Sequence, residues 1–91
     1  MWNTKHSLFG LVAGLAAVSA FAGAKCEPHP ASEQIPQAKF EQQLKAQGYQ
    51  IKRFKRDGNC YEIYGKNKAG QKVEIYFDTK TGQAVKTEID D

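Results

Sequence analysis

Cys26, His29 and Cys60 are the softest donors in this chain, and Cys26-Glu27-Pro28-His29 has the Cys-x-x-His spacing of a metal knuckle. A tetrahedral site needs a fourth ligand, and none stands at a matching distance. Cys26 and Cys60 are also the only two cysteines. In an oxidising compartment such a pair closes a disulfide, the reading favoured here over a metal site. A closed loop of about 35 residues would restrict the unfolded chain by roughly 4 kcal/mol in the chain-entropy description.

Nucleophilic catalysis has little to work with. Beyond the N-terminal leader argued below, His29 is the one histidine and Ser32 the one serine, both in a segment with two prolines, Pro28 and Pro30. A Ser-His or Cys-His pair needs a base packed against its nucleophile, which such a segment does not provide. Glu62 and Glu74 are the carboxylates that could form an acid and base pair, but Glu and Tyr facing each other across strands are more often surface packing. No enzyme activity, cofactor or metal is expected.

The remaining candidates are surfaces. Glu62-Ile63-Tyr64 recurs as Glu74-Ile75-Tyr76, which places Tyr64, Tyr76, Glu62 and Glu74 on one face of a strand pair. Tyrosine is enriched in interfaces because it offers large area and few torsions to freeze, so these four residues are the partner-binding candidates. Lys52-Arg53-Phe54-Lys55-Arg56 is the densest cationic run, but alternate residues of a strand face opposite ways. It reads better as an edge strand guarded by charge than as a polyanion site. Asp78-Thr79-Lys80-Thr81-Gly82 offers oxygens in a turn, too few carboxylates for calcium, and is explained by Asp capping a β-turn.

These residues must be positioned by few elements. Lys5 and His6 precede an apolar run from Leu8 to Phe21, a charged region followed by a hydrophobic one of secretory length. The reading is a signal peptide over 1–24, cleaved after Ala22 or Ala24, and soluble export without a stable membrane anchor. Lys25 before Cys26 argues against a lipoprotein, whose modified cysteine follows a small residue. Without the leader, 67 residues remain and the formal charge falls from +3 to +2 as Lys5 is lost. That mild, mixed charge speaks against nucleic-acid binding. So small a domain also needs a staple.

Residues 25–35 lack periodicity and read as an extended arm. Pro36 suits the start of a helix, Phe40 and Leu44 share a face four residues apart, and Gly48 is the expected left-handed cap. A strand over Tyr49 to Arg56 breaks its alternation, which predicts a bulge or twist near Arg53. Asp57-Gly58-Asn59 marks a hairpin turn and Tyr61 to Gly65 the returning strand. A three-residue loop at Lys68-Ala69-Gly70 sets Asn67 opposite Gln71, and thence Ile63 opposite Ile75, Gly65 opposite Val73, Tyr61 opposite Phe77, Tyr64 opposite Glu74 and Glu62 opposite Tyr76. The odd residues should therefore meet Phe40 and Leu44, leaving an even face with exposed Tyr64 and Tyr76, partly covered by the arm tied to Cys60. A last short strand, Ala84 to Glu88, is expected with Val85 pointing inward. The fold class is α+β, one amphipathic helix on a three- to four-stranded antiparallel sheet with one disulfide.

Several stretches together resemble a PepSY domain in its short, exported, single-domain form. They are Gln47-Gly48-Tyr49, Gly58-Asn59-Cys60-Tyr61-Glu62-Ile63, Gly70, Val73-Glu74-Ile75-Tyr76-Phe77-Asp78 and Thr81-Gly82-x-x-Val85. The resemblance runs from Cys26 to Lys86 and places a PepSY-like domain over 36–88. Many relatives carry proline after the aspartate where this chain has Thr79, which loosens the turn slightly. PepSY domains are similar to the propeptides of secreted thermolysin-type peptidases. The resemblance therefore implies a periplasmic or secreted, non-catalytic binding module that inhibits or regulates a peptidase or another extracytoplasmic protein. The alternative it implies is an accessory subunit of a membrane electron-transfer or sensor system. It carries over no catalytic residue, and the oligomeric state is left open.

Overall fold

The computed structural model describes residues 23–90. The leader expected over 1–24 falls, up to residue 22, outside the described residues. No helix among the described residues is long and apolar enough to cross a membrane. An arm leads through a short 3-10 turn, Ala31–Glu33, into helix α1, Gln37–Ala46, and four strands follow: β1 Gln50–Asp57, β2 Cys60–Lys66, β3 Lys72–Asp78 and β4 Ala84–Asp90. They form one antiparallel sheet in the order β1-β2-β3-β4, with α1 on one face. This is the α+β architecture expected, with four strands.

Helix α1 begins where Pro36, lacking an N–H to satisfy, accepts the Phe40 N–H on its carbonyl at 2.9 Å. It ends in a Schellman motif. The Tyr49 N–H reaches back to the Leu44 carbonyl and the Gly48 N–H to the Lys45 carbonyl, with Gly48 at φ 104°, a conformation that a Cβ would disfavour. The short turn out of α1 brings the chain straight into β1.

Phe40 and Leu44 are the two buried residues of α1, and they pack on Tyr61, Ile63, Val73, Ile75 and Phe77. The register between β2 and β3 is Ile63 to Ile75, Gly65 to Val73 and Tyr61 to Phe77, as the loop length predicts. In β1 the register shifts between Ile51 and Arg53, which makes Lys52 the extra residue of a bulge. That single insertion keeps both Ile51 and Phe54 on the core side. Opposite Ile51, Gly65 lets β1 approach closely, because a Cβ there would run into the Gln50 carbonyl oxygen.

One expectation is corrected in β4. Val85 does not point inward but is 47% exposed. The register slips between Tyr76 and Phe77, so that Phe77 faces Ala84 while Tyr76 faces Lys86, and Val85 is the unpaired residue between them. Parity counted from the Asp78 turn thus inverts after Ala84. The strand also runs on to Asp90.

Candidate functional site

The two bulges decide what the even face of the sheet carries. Lys52 turns Arg53 and Lys55 toward it, and Val85 does the same for Lys86 and Glu88. Cross-strand partners then form two rows: Lys55, Glu62, Tyr76 and Lys86 in one, Arg53, Tyr64, Glu74 and Glu88 in the other. All four candidates, Glu62, Tyr64, Glu74 and Tyr76, come together as a checkerboard at the centre. Cations flank it: Arg53 lies 5.9 Å from the Tyr64 ring centroid and Lys86 5.9 Å from that of Tyr76. Sequence alternation alone does not show Arg53, Lys55 and Lys86 here, because each owes its side of the sheet to a bulge.

Burial separates the four. Glu62 is 1% exposed and Tyr76 3%, whereas Tyr64 and Glu74 keep part of their surface in solvent. The exposed pair of tyrosines expected on this face is therefore one tyrosine. The arm is the cause, since the Cys26–Cys60 disulfide fastens it to the first residue of the inner strand β2. Lys86 Nζ donates to the Gly23 carbonyl at 3.0 Å, while the Gly23 backbone also lies beside the Asp57 carboxylate. Residues 23–26 thus lie over the row that contains Glu62 and Tyr76.

Farther along, His29 Nε2 meets Asp78 Oδ1 at 2.9 Å and Gln34 donates to the His29 carbonyl at 2.7 Å. The Ile35 N–H pairs with the Thr79 carbonyl, and the Tyr61 hydroxyl donates to the Ile35 carbonyl at 2.6 Å. With Cys26 and Cys60 bonded to each other, neither thiolate is left for a metal. Glu27, His29 and Asp78 do bring one donor atom each within 4.8 Å of one another. The direct His29–Asp78 contact already satisfies two of the three.

The two carboxyls titrate apart. Burial raises the pKa of Glu62, and its contact with Glu74 raises it further, while the same contact lowers that of Glu74. With both groups ionised, Glu62 Oε2 has no hydrogen-bond partner and Oε1 is 3.9 Å from Lys55 Nζ. Protonation makes Glu62 a donor toward Glu74, whose Oε2 also accepts the Tyr76 hydroxyl at 2.7 Å. The neighbouring Glu62 and Glu74 carboxylates raise the pKa of Tyr64, and burial and Glu74 raise that of Tyr76, so both phenols stay neutral. Within the cluster, the Tyr76 hydroxyl is engaged by Glu74.

A test of this titration is Glu62→Gln, whose amide keeps a donor for Glu74. A raised native pKa means that the contribution of Glu62 is full below its ordinary value of 4.5 and is lost as the pH rises. The variant should match the parent near pH 4 and be about 1 kcal/mol more stable at pH 8. Chemical denaturation at the two pH values measures the difference. A variant weaker than the parent at pH 8 would show that ionised Glu62 is held by Lys55 instead.

Asp78 is the second perturbed acid. Burial would raise it, but hydrogen bonds from the Thr81 N–H, His29, the Lys80 N–H and the Thr81 hydroxyl prevail and hold it at about 2. A depressed native pKa contributes stability above the ordinary value of 3.8 and loses it as the pH falls toward 2. Asp78→Ala should cost about 1–2 kcal/mol at pH 7, the range for a lost cap, and should flatten the acid limb of a thermal stability curve between pH 4 and 2. An unchanged acid limb would assign that titration to another carboxylate.

A family model for the peptidase propeptide and YPEB domain, of the PepSY type, matches residues 6–88. No curated protein matches the chain, and no solved structure does.

Proposed function

Since this chain belongs to the PepSY family of peptidase propeptide and YPEB domains, we propose that it is a periplasmic or secreted module that binds a protein partner and regulates it without catalysis. The family and the disulfide together point to an extracytoplasmic domain. Propeptide-type domains of this kind are generally inhibitory, which makes a peptidase the favoured partner class and inhibition the favoured direction.

The observation that carries the choice of surface is Tyr64. It is the one tyrosine of the checkerboard with ring surface in solvent, and it stands between Arg53 and Glu74 on a face braced by the disulfide. An aromatic ring fixed between an anion and a cation, on a rigid strand, is the composition of an interface anchor. Beside it, the buried Tyr76 donates to Glu74 and holds that carboxylate in place.

The test is capture and inhibition. Tagged protein should retain a partner from periplasmic extract or culture medium and slow the co-exported peptidase activity. Tyr64→Ala should weaken capture about tenfold or more with the fold intact, in keeping with a central aromatic anchor. Tyr76→Ala should instead lower thermal stability, since its ring is buried. Capture unchanged by Tyr64→Ala would place the contact surface elsewhere, and the absence of any partner or inhibition would overturn the proposal.

A further inference from the structure

Among the described residues the sheet has two open edges, β1 and β4, and they differ in what they do to a copy of themselves. Antiparallel self-pairing of β1 about Phe54 would set Arg53 against Lys55 of the second copy, like charges directly opposite each other. Both edges carry a bulge, so it is these like charges that set β1 against a second copy.

Strand β4 has the opposite pattern. Turned antiparallel about Thr87, β4 sets Lys86 against Glu88 of the second copy and Thr87 against itself, with Ile89 beyond them and Val85 at the bulge. Both charge pairs are opposite in sign. Lys86 and Glu88 already lie on one face, 3.3 Å apart within the chain, so the paired strands would give a four-charge square of alternating sign. Val85 and Ile89 are moreover the exposed large hydrophobic residues among the described ones, at 47% and 54%, and they stand symmetrically about Thr87. Exposed apolar side chains confined to an open edge mark a contact surface rather than a solvated one.

We infer that β4 pairs with β4 of a second copy of this chain, antiparallel about Thr87, to give a two-fold symmetric dimer with a continuous eight-stranded sheet. A two-fold axis needs a self-complementary patch, and a strand whose Lys86 and Glu88 alternate in sign about Thr87 supplies one. The seam is a single strand long, well below the roughly 1,200 Å² of a standard interface, so the dimer forms reversibly at about micromolar concentrations or above. The proposed partner surface at Tyr64 lies on β2, separated from β4 by β3, and two copies of it would lie on the same side of the joined sheet.

Sedimentation equilibrium of the purified chain, from about 1 µM to 1 mM, should show a monomer–dimer equilibrium. Glu88→Lys sets Lys86 against a second lysine and should weaken it at least tenfold, whereas Lys86→Glu with Glu88→Lys restores the opposite pairing and the dimer. Thr87→Cys should cross-link to a covalent dimer under mild oxidation, and Glu88→Cys should not, because position 88 faces position 86. A chain monomeric throughout the range, a dimer indifferent to Glu88→Lys, or cross-linking as efficient through Glu88→Cys as through Thr87→Cys would overturn the inference.

Discussion

Replacing Cys26 and Cys60 together by alanine is expected to cost about 4 kcal/mol and to lower the melting temperature by roughly 15–30 °C. The bond joins positions 34 apart in sequence, so reduction frees a long loop in the unfolded chain. Few small domains have more than about 5–10 kcal/mol to lose. The loss should begin locally. Without the bond the arm from His29 onward is held by the His29–Asp78 contact, the Ile35–Thr79 backbone pair and the Tyr61–Ile35 hydrogen bond, each worth about 1 kcal/mol net, while residues 23–28 keep the part-buried Lys86–Gly23 hydrogen bond. Those three lie beyond Cys26 on the helix side and leave residues 23–28 with a single lysine-to-carbonyl bond, so this segment should detach first. Thermal circular dichroism measures the total and limited proteolysis the order. Cleavage should appear around Lys25 before any cut within the sheet, and release of this segment should expose Tyr76 and Glu62. A melting temperature within about 5 °C of the parent would mean that the non-covalent contacts alone hold the arm.

The β2–β3 register was legible because two rules converge on it. A period of two in the strands and a fixed loop at Lys68-Ala69-Gly70 leave one alignment that puts Ile63, Ile75, Tyr61 and Phe77 on one side. The bulge in β1 was legible too, since Ile51 and Phe54 are three residues apart and both apolar. Its extra residue is Lys52, immediately before the Arg53 that the parity break indicates. Val85 was not legible for the converse reason. An inserted residue in β4 leaves the sequence Ala84-Val85-Lys86-Thr87 without any visible break, and only pairing with β3 reveals that parity inverts there. The candidate site was half legible. Strand alternation places Glu62, Tyr64, Glu74 and Tyr76 together, but the burial of Tyr76 depends on the path of residues 23–26, which have no periodicity from which to read it.

Phe40→Ala is expected to be the most damaging single substitution in the core, at about 3–5 kcal/mol. The ring stacks on Tyr61 at 5.7 Å between centroids and meets Phe77 and Phe54 edge-on at 5.0 and 6.2 Å, so one side chain ties β1, β2 and β3 to the helix. A ten-residue helix has little stability of its own, and α1 buries only Phe40 and Leu44. With the ring gone, Leu44 and the Gly48 turn would have to hold α1 alone, and undocking of the helix ahead of the sheet is the expected course. Loss of near-ultraviolet dichroism at a lower denaturant concentration than the far-ultraviolet sheet signal would show it. Phe40→Leu retains most of the volume and should cost less than half as much, which separates packing from the loss of a helical residue. If Phe40→Ala melted within a few degrees of the parent, the helix would be held chiefly by its ends. The substitution also calibrates the test of function, because Phe40 lies on the face opposite Tyr64. Phe40→Ala should lose partner capture only to the extent that it unfolds, whereas Tyr64→Ala should lose capture while the melting temperature stays put.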